Sequence, residues 1–397
     1  MRRCDSPSAT IHSCFFGYIV QAIVNVYVPL LFVTFQNEFG LSLSQVTLLI
    51  TFNFGVQLLV DLLSVTFVDR IGYRASVVAA HVLAAAGLIL LAFLPNIMPP
   101  FASILTSVTV YAVGGGLLEV VVSPIVESCP SKQKEKTMSL LHSFYCWGCV
   151  GVIVISTAFF ALFGRQNWRI LLFLFALVPV VNGFRFTRVP LYPIVQDGQA
   201  GMRMGELLRS GLFWQLVFMM ILAGACEQGV SQWASAFAEK GLGVAKAAGD
   251  LLGAAFFSVL MGLSRLLFGR FGEGKTLRPF MLFSIVLCVV SYLLISLSPS
   301  PVLSLIGCGI CGFSVGILWP GTFSIASRTL PRGGTVMFAL LALGGDIGCS
   351  GGPTYVGLIA DAAGGSLHHG ILLGTLFPAL MLVMLLVTGR RARSQSS

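Results

Sequence analysis

The sequence is short of charged residues. Only 10% of its 397 positions are Asp, Glu, Lys or Arg, whereas a soluble domain carries about a quarter. Hydrophobic residues make up 56% of the chain. So few charges exclude a soluble globular protein, and we predict an integral membrane protein that crosses the bilayer many times.

Several functional signatures are also missing. The sequence has no glycine-rich phosphate-binding loop, which argues against ATP-driven transport by this chain. No loop holds a cluster of His and acidic residues or a nucleophile with its base, so we predict no enzyme, no cofactor and no metal site. The apolar runs are long and continuous rather than ten-residue alternations, which excludes a β-barrel.

The apolar runs and their Gly, Pro and charge boundaries predict an all-α polytopic protein with twelve transmembrane helices. The predicted spans are 11–35, 45–68, 75–95, 101–126, 139–163, 168–187, 211–237, 247–269, 279–297, 301–327, 336–360 and 370–388. Twelve spans place both termini on the same side, and 19 of the 24 Lys and Arg residues lie on that side. The positive-inside rule therefore predicts cytoplasmic termini, in a bacterial-type plasma membrane.

The two halves of the chain repeat each other at an offset near 200 residues. Gly148-Cys-Val-Gly151 in span 5 matches Gly348-Cys-Ser-Gly351 in span 11. Gly116 and Pro124 in span 4 likewise match Gly312 and Pro320 in span 10. We predict a 6+6 pseudo-symmetric arrangement with bundles at 1–190 and 211–397 joined by a cytoplasmic linker at 191–210, an organisation typical of transporters.

The segment Phe67-Val-Asp-Arg-Ile-Gly-Tyr-Arg74 resembles the cytoplasmic loop signature of the major facilitator superfamily, although Val65 replaces its leading glycine. The resemblance implies that helices 1, 4, 7 and 10 line a central cavity, while helices 2, 5, 8 and 11 form the seam between the halves. Under it, we expect gating roles for six residues: Asp61, Asp69, Arg70, Arg74, Arg265 and Asp346. For Arg265, we expect a partner in Asp346 or in a backbone carbonyl.

Span 4 contains Gly114-Gly-Gly-Leu-Leu-Glu119-Val-Val-Val-Ser-Pro124, which is similar to helix 4 of the fucose–galactose–glucose:proton symporters. That resemblance implies that Glu119 serves proton coupling and sugar recognition. It also points to His142 and Tyr145 in span 5 and to the stretch from Glu227 to Trp233 in span 7. The symporters have an Asp where this chain has Asn25, so coupling falls to Glu119 alone, or moves to Glu227 or Asp61, or is lost.

The residues themselves also favour a polar solute. An intramembrane carboxylate such as Glu119 costs about 2.5–3.5 kcal/mol on insertion scales, which favours a functional role. Sugars need amides and carboxylates for hydrogen bonds and aromatic rings for stacking. Gln21 and Asn25 are four residues apart and so share one face of their helix, and Gln228 and Gln232 do the same in span 7. The predicted binding residues are Gln21, Asn25, His142, Tyr145, Gln228, Gln232, Trp233 and Trp319.

We therefore predict a monomeric secondary transporter that takes a small polar, sugar-like solute and protons as partners, lies in the lipid bilayer and binds no nucleic acid. An exporter of drugs or metabolites and an uncoupled facilitator remain as alternatives. Span 5 lacks the proline that ends the glycine-rich motif of exporters, which favours import. A receptor without transport activity would use the same fold.

Overall fold

The computed structural model describes residues 6–130, 134–192, 204–271, 277–330 and 332–394. Within these ranges the chain is helical and contains no strand. Twelve long helices follow one another: α1 Pro7–Leu30, α2 Leu43–Ile71, α3 Tyr73–Phe93, α4 Pro100–Ser128, α5 Lys134–Phe163, α6 Trp168–Phe186, α7 Gly211–Gly241, α8 Lys246–Leu267, α9 Leu277–Leu297, α10 Pro301–Thr329, α11 Gly334–Ala362 and α12 Leu367–Val387.

Eleven of these helices are long and apolar enough to cross a membrane. The remaining one, α11, has 29 residues, and about 20 are enough to span the hydrocarbon core. The predicted all-α membrane fold with twelve helices is confirmed.

The chain divides into two compact units, Met1–Asp197 and Gly198–Ser397. Unit 1 holds α1–α6 and unit 2 holds α7–α12. The predicted linker 191–210 spans this boundary, and its residues 193–203 lie outside the described part.

Unit 1 is built around α1 and α4. Helix α1 packs on α4, α5 and α6, and α4 also packs on α2 and α3. Ser42 caps the start of α2, and the side chain of Gln45 returns a hydrogen bond to the Ser42 backbone, so the helix begins at a complete capping box. Because both α1 and α2 lie against α4, polar residues on their facing sides are brought together inside unit 1.

Unit 2 is built around α7, which packs on α10, α11 and α12. The contact between α7 and α11 is very close, since a Cβ added to Gly348 would lie 1.9 Å from the carbonyl oxygen of Ile221. Small residues permit such approaches between membrane helices. The two helices are equally close at Gly224 of α7, where an added Cβ would lie 2.2 Å from the carbonyl oxygen of Gly345 in α11.

Some helices are interrupted where the sequence predicts continuous spans. The first predicted span, 11–35, is wrong at its end: α1 stops at Leu30, and a second short helix covers Phe32–Phe39. Pro29 lies in the last turn of α1, where proline removes a backbone donor and its ring crowds the preceding turn. In unit 2, the end of α7 and the first part of α8 contain π-helical turns at Phe237–Gly241 and Asp250–Ala255.

Candidate functional site

A chain of buried amide side chains joins α1 to α2 in unit 1. Asn25 Oδ1 accepts hydrogen bonds from Asn53 Nδ2 at 3.0 Å and from Gln57 Nε2 at 2.9 Å. Gln57 Oε1 in turn accepts a bond from Gln21 Nε2 at 2.7 Å. All four residues are buried. Each amide therefore fixes the orientation of the next.

This amide chain ends on the carboxylate predicted as the coupling residue. Gln21 Nε2 lies 3.3 Å from Glu119 Oε2. A carboxylate oxygen of Asp61 lies within 4.8 Å of one of Glu119. Asp61, which the resemblance assigns to a gate at the seam, therefore lies beside Glu119 inside unit 1, although it comes from a different helix.

Helix α5 brings the predicted His142 and Tyr145 to the same region. The Tyr145 hydroxyl lies 3.5 Å from Asn25 Nδ2, and the His142 ring packs edge-on against Tyr18 with centroids 5.3 Å apart. The hydroxyl of Tyr18 reaches Ser123 of α4 at 3.1 Å. The structure thus gathers the predicted residues of α1, α4 and α5 into one polar region, which we call the unit 1 polar cluster.

Two oxygens of the amide chain have no hydrogen-bond partner among the described residues. They are Gln21 Oε1 and Asn53 Oδ1, and both atoms are buried. Buried polar atoms are nearly always hydrogen-bonded in native proteins, so an exception needs an explanation. A ligand, an ion or a water molecule supplying a donor or a positive charge would satisfy both atoms.

Unit 2 carries a second polar group on α7 and α8. Arg265 Nη2 lies 3.1 Å from Glu227 Oε2 and forms an ion pair with it. The sequence analysis named Asp346 or a backbone carbonyl as the partner of Arg265 and did not include Glu227. Gln228 Nε2 reaches Glu227 Oε1 at 3.2 Å. The predicted glutamine pair is also formed, because Gln232 Nε2 donates to Gln228 Oε1 at 2.9 Å.

The two predicted tryptophans have different surroundings. Trp233 is completely buried, and its indole N–H donates to the Pro353 carbonyl at 2.9 Å. This arrangement ties α7 to α11 and is typical of helix packing. Trp319 is half-buried, lies against Gly345 and meets Phe323 edge-on, with centroids 6.2 Å apart. It therefore keeps an accessible edge that Trp233 lacks.

The predicted gating residues fall at several places. Arg74 donates to the carbonyls of Phe186 at 2.6 Å and Val189 at 2.9 Å, which pins the start of α3 to the end of α6. Arg70 is exposed at the end of α2, and Asp346 is half-buried in α11. The side chain of Asp69 lies outside the described part of the structure.

Sequence reasoning missed two members of the unit 1 polar cluster, Asn53 and Gln57. Both follow the i, i+4 amide pattern that identified Gln21 and Asn25, and both lie inside the second predicted span. The signal was therefore present in the sequence. Because Gln57 contacts both Gln21 and Asn25, it connects the predicted binding residues of α1 to each other.

A buried charge cluster in unit 2 was also missed. Lys246 falls just before the predicted span 247–269, whereas in the structure it begins α8 and is buried. Its Nζ lies 2.6 Å from Asp250 Oδ1 and 2.7 Å from Ser235 Oγ. Asp250 also accepts a hydrogen bond from Ser235. A buried lysine needs such partners, since an isolated charge in an apolar interior is very costly.

The pair of Arg265 and Glu227 gives a stability prediction. Breaking a buried ion pair costs about 3–5 kcal/mol because one charge stays behind unpaired, and the 20% exposure of the Arg265 side chain lowers this figure. We expect Arg265→Met to lower the thermal unfolding temperature of the purified protein, and the double variant Arg265→Met/Glu227→Gln to regain most of the loss. Arg209→Met, at an exposed position, is the control. A double variant no more stable than Arg265→Met would contradict the prediction.

Comparisons with known proteins agree on one fold. A model of the Major Facilitator Superfamily matches residues 14–353. The structure is similar to a bacterial homolog of the human lysosomal transporter Spinster in an inward-facing, occupied conformation, at a TM-score of 0.75 and 13% identity, covering 96% of this chain and 97% of that one. The inward-facing, unoccupied form of the same homolog matches at a TM-score of 0.74 and 14% identity, covering 99% of this chain and 97% of that one.

The Escherichia coli fucose:proton symporter is a further structural neighbour, at a TM-score of 0.64 and 18% identity, covering 96% of this chain and 98% of the symporter. At these identities the likenesses show the fold. No curated protein sequence matches the chain.

Proposed function

The chain belongs to the major facilitator superfamily, and from this membership we propose that it moves a small polar, sugar-like solute across the membrane by alternating access coupled to protons. It is a transporter and not an enzyme. The family matches most of the chain, as the loop signature at Phe67–Arg74 predicted. The solute and the coupling are proposals, which the following observations support.

The unit 1 polar cluster supports a hydroxyl-rich solute. Its amides Gln21, Asn25, Asn53 and Gln57 are held in fixed orientations inside an apolar bundle. An amide presents a donor and an acceptor side by side, which suits a hydroxyl that both donates and accepts. Buried acceptors left without partners favour a ligand that brings donors, as a sugar or polyol does.

Glu119 is the proposed coupling residue. It is the carboxylate at the end of the amide chain, and a carboxylate that gains a proton loses the charge that makes reorientation inside the membrane costly. Glu227 is the less favoured candidate, because Arg265 already lies against it. One proton moving down about 100 mV supplies about 2.3 kcal/mol, enough for tens-fold accumulation of the solute.

The charge distribution supports an orientation. We propose that both termini lie in the cytoplasm of a cell with a bacterial-type plasma membrane, because most Lys and Arg residues fall on that side of the twelve helices. We also propose that the functional unit is a monomer, with the solute and protons as its partners. In this orientation the charge cluster of Lys246 and Asp250 lies at the outer side.

An uncoupled facilitator is the second candidate, and Asn25 is the observation that favours it. An amide cannot take up and release a proton, and Asn25 stands where the resembling symporters have an Asp. The two candidates predict the same solute. They differ only in whether a pH gradient drives accumulation.

The test has two steps. Purified protein is screened by thermal shift against sugars, polyols and organic acids, and the stabilising compounds are then assayed for uptake into proteoliposomes with and without an inward proton gradient. We expect stabilisation by a sugar or polyol and uptake above equilibrium only with the gradient. Stabilisation by organic acids alone would overturn the sugar-like solute, and equal uptake under both conditions would establish the uncoupled facilitator.

A further inference from the structure

Four of the ten cysteines of the chain lie on three helices of unit 2. Cys226 belongs to α7, Cys288 to α9, and Cys308 and Cys311 to α10, and all four side chains are completely buried. We propose that Cys288 and the thiols on either neighbouring helix, Cys226 and Cys311, form a binding site for a soft monovalent cation such as Cu⁺ or Ag⁺. This inference goes beyond the proposed transport function and does not depend on it.

Cys288 is the shared member of the group. Its thiol lies within hydrogen-bonding distance of the thiol of Cys226 and of the thiol of Cys311. Helix α10 packs on both α7 and α9, and the Tyr292 hydroxyl of α9 donates to the Cys226 carbonyl of α7 at 2.8 Å. The thiols are therefore brought together by the packing of three helices, and a small movement of their side chains lets them share one cation.

Two serine hydroxyls lie beside these thiols. Ser291 donates to the Cys288 carbonyl at 2.8 Å, and Ser314 donates to the Cys311 carbonyl at 2.7 Å. The Ser314 side chain also lies within hydrogen-bonding distance of the Cys288 thiol, and the Ser291 side chain lies within that distance of the Cys311 thiol. A hydroxyl can turn its proton from a carbonyl to a thiolate, and a hydrogen bond to the charged form stabilises that form. The surroundings therefore suit a sulfur that has lost its proton to a metal.

The sulfur ligands select the class of cation. Thiolates are soft ligands that favour ions such as Cu⁺, whereas Mg²⁺ and Ca²⁺ need oxygen ligands. Zn²⁺ also binds thiolates, but its structural sites are almost always tetrahedral with four ligands. Cu⁺ and Ag⁺ are satisfied by fewer sulfurs, which matches a central thiol with two neighbours.

The charge of the site favours a monovalent ion. When the cation binds, one sulfur–hydrogen bond breaks, a metal–sulfur bond forms, and the proton leaves to the solvent, while the other sulfurs bind as neutral thiols. One positive ion then replaces one proton, so the site stays neutral. An apolar interior strongly disfavours a net charge, and the exchange of a proton for a monovalent cation avoids that cost.

No metal site was predicted from the sequence, because each loop was considered alone. Cys308 and Cys311 do form a C-x-x-C pair in span 10, but Cys288 and Cys226 lie far from them in the sequence. The group becomes visible only when α7, α9 and α10 are packed together.

The test measures Cu⁺ binding by the purified full chain in detergent, without oxygen and without any solute. Protein incubated with Cu⁺ is passed through a desalting column that contains a Cu⁺ chelator, and its copper content is measured. Proton release is followed in weakly buffered solution with a pH indicator. The variants are Cys226→Ala, Cys288→Ala and Cys311→Ala. The matched control is Cys146→Ala/Cys149→Ala, which removes the C-x-x-C pair of α5 in unit 1.

We expect the wild-type chain to retain one Cu⁺ against the chelator and to release one proton for each ion bound. Cys288→Ala should weaken binding by more than about 100-fold, since loss of even an outer partner of a metal ligand costs about 10–100-fold. Cys226→Ala and Cys311→Ala should each weaken binding less than Cys288→Ala does, and the control should bind as wild type. Cu⁺ should also raise the unfolding temperature of the wild type and not that of Cys288→Ala, because a ligand that binds the folded state stabilises it.

Three results would overturn the inference. They are copper retention by Cys288→Ala equal to that of the wild type, loss of copper from the control, and copper binding without proton release. Unfolding temperatures without copper show which variants are folded, and Cys288→Ser, which keeps the size and polarity of the side chain without its sulfur, replaces Cys288→Ala if the alanine variant is unstable. The assay contains neither solute nor proton gradient, so its outcome is separate from that of the proposed function.

Discussion

Glu119→Gln should abolish uptake driven by a proton gradient while leaving exchange of solute across the membrane partly intact. The glutamine keeps the hydrogen-bonding shape of the side chain and its contact with Gln21, but it cannot take up or release a proton. Alternating access then continues with the loaded carrier, whereas the energy of the gradient no longer reaches the solute. We expect gradient-driven accumulation to fall from tens-fold to none.

The measurement compares two assays on the same proteoliposomes. Concentrative uptake is followed with an inward proton gradient, and counterflow is followed with solute preloaded at equal pH on both sides. Glu127→Gln is the matched control because it removes an exposed carboxylate from the same helix. Unaltered gradient-driven uptake in Glu119→Gln would remove Glu119 from the coupling mechanism.

Gly348→Val should prevent the stable folding of unit 2. A Cβ at this position would lie 1.9 Å from the carbonyl oxygen of Ile221 and 2.9 Å from the backbone nitrogen of Ala225. Both atoms belong to the hydrogen-bonded backbone of α7, so relief requires α7 and α11 to separate. Overpacking commonly costs about 1–3 kcal/mol even where side chains can move, and a clash with backbone should exceed that range.

The control for this prediction lies three residues further along α11. A Cβ at Gly351 would meet no atom within 4 Å, so Gly351→Val should leave the unfolding temperature nearly unchanged. Size-exclusion chromatography and thermal unfolding of the two variants in detergent give the comparison. Equal stability of the two variants would contradict the close contact of α7 with α11.

The sequence repeat has a structural counterpart that could be predicted in part. In unit 1, Gly148 is the tightly packed member of its pair, with an added Cβ 2.8 Å from Ala22, while Gly151 is open. Gly348 and Gly351 show the same contrast in unit 2. The repeat predicted that these glycines are equivalent. It could not predict which one of each pair carries the contact, because that depends on how the neighbouring helix crosses.

In the candidate site, the sequence predicts which polar residues share a helix face, but not which residues of different helices meet. Helix periodicity alone places Gln21 beside Asn25 and Gln228 beside Gln232, and the same rule applied to α2 would have found Asn53 and Gln57. Contacts between helices do not follow from periodicity. The approach of Asp61 to Glu119 and of Arg265 to Glu227 depends on the rotation and depth of each helix, which are set by packing in three dimensions.

Lys246 shows a further limit of reading a sequence by charge. Its position after Gly241 and Gly243 is typical of a loop, and nothing in its neighbours distinguishes a solvated lysine from a buried one. Only the i, i+4 spacing to Asp250 hinted at a partner, and such pairs are common on exposed helices. The π-helical turn that begins at Asp250 was not predictable from composition.

The ion pairs at the proposed outer side have a consequence for the electrical profile of the protein. The twelve-span topology places four cations on that side, which are Arg165, Arg169, Lys240 and Lys246. Of these, Arg169 lies 2.8 Å from Glu38 and Lys246 lies 2.6 Å from Asp250. Two of the four are therefore accompanied by a carboxylate. The outer side therefore carries less net positive charge than its Lys and Arg residues alone suggest, which leaves the positive charge of the protein concentrated on the proposed cytoplasmic side.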